Sequence, residues 1–143
     1  MRTLTLFTFL LVSACRPVRT GGDNTIPFTI ATHYFVNNTA GAPVDSVITS
    51  ASRFNELFGM ATTMGPEGKP TPVDFSKQFV IAVGRPETAI ATALEATGLH
   101  MENDTLVFDY RMTTGEQQTF TSRPLLMVIV DRSHLAPVSL RKQ

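Results

Sequence analysis

Apolar, β-branched and aromatic residues recur with a period near two along Phe28-Thr29-Ile30-Ala31-Thr32-His33-Tyr34-Phe35-Val36, the pattern of a strand. The cluster Asn37-Asn38-Thr39-Ala40-Gly41-Ala42-Pro43 turns the chain, and Val44 to Ile48 is a short extended piece. From Ser50 the period changes. Phe54, Leu57 and Phe58 stand at i, i+3 and i+4 on one helical face, Ser50 is placed to cap it, and Gly59 is expected to stop it. The prediction is one short helix over about 51–58. Gly65 to Pro72 is broken by three prolines and two glycines and holds no regular structure.

Two later runs do not alternate at all. Phe79-Val80-Ile81-Ala82-Val83 and Leu125-Leu126-Met127-Val128-Ile129-Val130 are continuously apolar, as strands covered on both faces are. Val80, Ala82 and Val128 are expected on one face, with Phe79, Ile81 and Ile129 on the other. Thr88 to Leu99 is ambiguous, because its alanines favour helix while its β-branched alternation favours strand; strand is the reading adopted. Glu102-Asn103-Asp104 makes a hairpin turn into Thr105 to Met112, where Leu106, Phe108, Tyr110 and Met112 alternate, and Gly115 is expected to turn the chain again. The sum is a mostly β, α+β domain: an antiparallel sheet or sandwich of six or seven strands with one short helix.

The N-terminus has a different grammar. Arg2 precedes the apolar run Leu4 to Val12, which is too short to span a bilayer and has the order of a signal peptide. The run ends in Val12-Ser13-Ala14-Cys15, which is similar to a bacterial lipobox. Small side chains suit the peptidase cleft, and the Cys15 thiolate is the nucleophile that accepts a diacylglyceryl group. Met1 to Ala14 is therefore expected to be removed, leaving Cys15 acylated and held at a membrane by its chains. Arg16, where an Asp would signal retention, points to the outer membrane of a bacterial cell envelope. Residues 15–25 read as a lipid-anchored flexible tether with a single domain over 26–143.

Composition then removes function classes. Lys plus Arg and Asp plus Glu number twelve each, so there is no basic excess for a nucleic acid. One Cys excludes a disulfide framework and a Cys-rich zinc site, and His33, His100 and His134 fall in separate segments, so no metal is expected. Gly68-Lys69 lacks the first glycine of a phosphate-binding loop, where Thr63 stands, and Pro70 replaces its hydroxyl residue. Asp131, Ser133 and His134 have the letters of a hydrolase triad, but strand neighbours point to alternate faces. Asp104, Asp109 and Glu116 form no carboxylate pair. No catalytic residue and no cofactor is expected. Asn37 to Thr39 and Asn103 to Thr105 match a glycosylation triplet and are read as turn residues. Asp45-Ser46-Val47 and Asp104-Thr105-Leu106 are similar to a short O-glycan acceptor.

Three segments, in order, resemble the PrcB-like domain, a lipoprotein family that stabilises a bacterial surface protease complex. They are Val47-Ile48-Thr49-Ser50 leading into Phe54 to Phe58; Val73-Asp74-Phe75-Ser76-Lys77 with Phe79 to Val83 and Gly84-Arg85-Pro86; and Thr121-Ser122-Arg123-Pro124 before the last apolar strand. The likeness spans roughly 44–132. After Pro86 the family carries a Gly-Gly-aromatic step, where this chain has Glu87-Thr88-Ala89-Ile90. The resemblance implies a non-catalytic β-rich lipoprotein that binds an envelope protein. Gly84, Arg85, Pro86 and Arg123 are the candidate partner-binding loop it points to. Two alternatives stay open: a small-ligand carrier, and a protease inhibitor of the chagasin type, whose Asn-Pro-Thr-Thr-Gly-Tyr loop this chain does not have.

Overall fold

The computed structural model describes residues 24–41 and 44–143. The expected signal peptide, Cys15 and the tether up to Asp23 lie outside the described residues. The strands are β1 (Phe28–Ile30), β2 (Tyr34–Val36), β3 (Asp45–Ile48), β4 (Phe58–Met60), β5 (Gln78–Gly84), β6 (Thr88–Glu102), β7 (Thr105–Ser122), β8 (Leu125–Asp131) and β9 (Val138–Lys142). One α-helix, α1 (Ala51–Leu57), lies between β3 and β4. The protein is a mostly β, α+β domain.

The central sheet has the order β1-β8-β5-β3, all antiparallel. Its two middle strands are the continuous apolar runs, and both of their faces are covered. Phe79, Ile81, Val83, Val128 and Val130 pack against Leu99, Leu106 and Phe108 of the sheet β6-β7-β9. Val80, Ala82, Met127 and Ile129 pack against Ile48, Phe54, Leu57 and Phe58 on the side of α1 and the β2-β4 pair. Phe79, Val80 and Ile81 are wholly buried, each worth about 1.5–3 kcal/mol of apolar transfer.

The face assignment of β8 differs from the expectation. Val128 shares the face of Phe79 and Ile81, and Ile129 that of Val80 and Ala82. Residues directly opposite in an antiparallel pair lie on one face, and the register sets Ile81 against Val128 and Val80 against Ile129. A slip of one residue reverses every side chain, and the long β6-β7 excursion that fixes this register is invisible in β5 and β8 themselves.

Other boundaries also moved for local reasons. The expected single strand over 28–36 is two, because His33 adopts a left-handed φ of 65° and the chain leaves β8 for β4 there. The short strands β1, β2, β4 and β9 bring the number among the described residues to nine. β9 pairs parallel to β7, the single departure from antiparallel pairing among the described residues. Ser50 caps α1 by accepting from the Arg53 amide at 3.3 Å. At the other end Phe58 turns to extended backbone while its N–H still donates to Phe54. Gly59 is therefore a strand residue, paired with Phe35, whose ring lies where a Cβ on Gly59 would stand.

Residues 88–99 are strand, as expected. Gly115 does not turn the chain; it lies inside β7. The bending occurs at irregularities in the β6-β7 register. Between the Thr88–Ser122 and Ile90–Gln117 pairs β7 carries surplus residues, and Ala96 to Gly98 bulges on β6. Asn103 and Asp104 close the hairpin, both with positive φ, as a two-residue primed turn requires.

Candidate functional site

Polar side chains gather in two places, at one end of the central sheet and on the sheet β6-β7-β9. At one end β5 delivers Gly84-Arg85-Pro86 beside the β7-β8 connection, and the Arg85 amide donates to the Pro124 carbonyl at 2.9 Å. The structure thus brings Arg123 and the Gly84–Pro86 turn into one loop cluster. Gly84 is buried, and its amide donates to Val44 at 2.7 Å; a Cβ there would approach the Val44 Cβ at 3.2 Å.

Arg85 is held inside the cluster. Its guanidinium donates to Asp45 Oδ1 (2.8 Å), the Gly84 carbonyl (2.8 Å) and the Tyr110 hydroxyl (2.6 Å). Burial by itself would lower the Arg85 pKa, but the hydrogen bond and charge of Asp45 outweigh it and raise the value. Arg123 is half-buried and donates to the Asn37 carbonyl at 3.3 Å. Pro86 and Glu87 are exposed, and the Thr121 hydroxyl donates to Glu87. Arg85 consequently stiffens the loops, and the surface they offer is Pro86, Glu87 and Arg123.

The second gathering was not expected from the sequence. Asp109, 5% exposed, is the buried charged residue among those described. Arg141 of β9 donates to it twice, Nε to Oδ1 at 2.6 Å and an η nitrogen to Oδ2 at 3.2 Å. His100 Nδ1 lies 3.3 Å from Asp109 Oδ2, and His100 Nε2 lies 3.5 Å from Glu102. The hydrogen bond from Arg141 holds the Asp109 carboxyl below its ordinary value, against the opposing effect of burial. Alternation along β7 put Asp109 on the outer, polar face, and it is buried because β9 lies along β7. That pairing is parallel and remote in sequence, so no local signal announced it. Among the described residues no group of three His, Cys, Asp or Glu is arranged to hold a metal ion.

The remaining sequence candidates serve local structure. Asp74 accepts from the Ser76 amide at 3.0 Å and its hydroxyl at 2.5 Å while Phe75 packs against the α1-side core, an Asx turn at the mouth of β5. These bonds keep the Asp74 carboxyl below the usual range. Asp131 does the same for Ser133, at 2.8 and 2.6 Å, capping a 3-10 turn over Arg132–His134. The hydroxyl is thus bound to the carboxylate and not to His134. Beneath α1 a cavity of about 230 Å³ is lined chiefly by Tyr34, Phe54, Phe58 and Phe75, with Asn55 the one side-chain amide among its lining residues.

No protein-family model, no curated protein and no solved structure matches the chain.

Proposed function

We propose that this chain is a non-catalytic, lipid-anchored protein of the bacterial cell envelope that binds and stabilises another protein. In the family it resembles, that partner is a protease complex. The observation that carries the reading is the separation of the loop cluster from the end of the domain where Asn24 and Thr25 lie against β6. Asn24 accepts from the Met101 amide, two residues from the Asn103–Asp104 hairpin tip, and Phe28 pairs with Val130 near the far end of β8. Gly84 pairs with Leu125 at the opposite end of that strand. Seven residues of β5 separate the two ends by about 20 Å at 3.3 Å per residue. A domain tethered through Cys15 would thus leave its anchor segment at the hairpin end and keep Pro86, Glu87 and Arg123 clear of it, free for a partner. The aromatic cavity supports the ligand-carrier alternative less well, since a carrier site needs several convergent polar groups and this lining offers few.

The test uses membranes of cells making the full chain. Cys15→Ala is expected to move the protein from the detergent-rich to the aqueous phase, since the acyl chains are its attachment. Pro86→Ser with Arg123→Ala is expected to lose the co-purifying partner without a change in melting temperature. A membrane-bound Cys15→Ala protein would sink the anchor, and a partner retained by the double variant would sink the loop assignment.

A further inference from the structure

The β6-β7 ribbon carries a groove that neither core explains. It is a concavity of about 460 Å³ formed where the ribbon bends. Its floor is open because the residues there are small: Ala91, Ala93 and Gly115, with a Cβ on Gly115 only 3.4 Å from that of Ala91. Its walls carry Thr113, Gln118 and Ser122, whose side chains make no hydrogen bond to another described residue, while Thr114, next to Thr113 on an extended strand, contributes backbone and turns its side chain to the other face of the ribbon. Phe120 completes the lining. Its side chain is 60% exposed and belongs to neither hydrophobic cluster. No charged side chain lines the groove.

A large apolar ring left in water forgoes favourable burial, and Phe120 lies among the surplus residues that β7 carries between Gln117 and Ser122. Bulges of this kind re-aim side chains. The combination selects a ligand with two unlike surfaces. One must be an apolar C–H face to lie on the phenyl ring, whose π-face is electron-rich. The other must be a set of neutral hydroxyl or amide groups to meet two hydroxyls and a carboxamide, each able to donate and accept. An apolar ligand would leave those groups desolvated without partners, which is costly, and a charged ligand would find no counter-charge in the lining. A pyranose ring has both surfaces: axial hydrogens form an apolar patch on one face while equatorial hydroxyls radiate from its edge.

We infer that this groove binds a neutral saccharide, with Phe120 as the stacking platform and Thr113, Gln118 and Ser122 as the groups that read its hydroxyls. The groove adjoins the loop cluster through Thr121 and Ser122, but its reading rests on its own lining and not on the protein partner.

The probes are cellotetraose and chitotetraose, titrated into the purified full chain while backbone amide shifts are followed by NMR. The expected result is saturable shifts of Thr113, Thr114 and Gln118 amides with at least one of the two sugars. Phe120→Ala is expected to weaken that binding at least about tenfold, the effect of losing an aromatic contact of about 1.4 kcal/mol, whereas Phe120→Tyr keeps it within about threefold. Because Phe120 lies outside both cores, its variants should melt with the parent. Absence of shifts with both sugars would overturn the inference. So would binding that survives Phe120→Ala, or binding lost equally in Phe120→Tyr.

Discussion

Asp109 sits beneath the C-terminal strand with a charged partner on each side, and the balance of those partners decides how β9 stays attached. Its carboxyl is held below its ordinary value chiefly by the Arg141 hydrogen bond. A group depressed in the folded state stabilises above its unfolded pKa and ceases to do so as pH falls through the folded one. The contribution of Asp109 is therefore present above about pH 4 and is lost on further acidification. Arg141→Met should leave the buried carboxylate short of two charge-assisted bonds and lower stability at neutral pH. Asp109→Asn should remove the part of the acid-side loss of stability that this group carries. Urea titrations of both variants between pH 3 and 7 check this: an unchanged pH profile in Asp109→Asn would show that the pair contributes nothing. Ile81 gives a harsher result. It is wholly buried, so Ile81→Asp leaves a carboxylate without a partner, and the domain should fail to fold.

At the scale of elements, the first described residues belong to the domain more than their composition suggests. Asn24 and Thr25 read as tether, yet Thr25 bridges His100 and the Asn24 carbonyl accepts from Met101. A chain beginning at Ile26 frees that amide, at about 1 kcal/mol for one hydrogen bond, so its melting temperature should fall by roughly 4 °C in a domain of this size. A chain beginning at Asn24 should melt with the full protein. Equal melting of all three would make 24–25 true tether.

The same case explains which elements were legible. Helix α1 announces itself because its cap and its apolar face are local, and β5 and β8 because burial on both faces leaves an unbroken apolar run. The Asn103–Asp104 turn is legible because only a few residue types adopt positive φ readily. What the local pattern lacks is partnership. The face of Val128 depends on a register fixed across the β6-β7 ribbon, and the burial of Asp109 depends on a parallel strand over twenty-five residues away. Gly115 signals a turn by composition, but the bulged ribbon absorbs it. For the candidate loop, Gly84, Arg85, Pro86 and Arg123 do come together, though the sequence could not foresee that Asp45 and Tyr110 engage the Arg85 side chain.

At the scale of the whole molecule, the covered central sheet separates two ends that carry different connections. The hairpin tip and the described N-terminus share one end, and the β5-β6 and β7-β8 connections share the other. The central claim is that a partner protein is met at the second end. The most direct measurement is site-specific photo-cross-linking in native membranes, with the reactive side chain placed at Pro86 in one protein and at Asp104 in another, both exposed positions. Mass spectrometry of the adducts should find one recurrent envelope protein joined through Pro86 and only lipid or background through Asp104. The same partner captured through Asp104, and none through Pro86, would contradict the account.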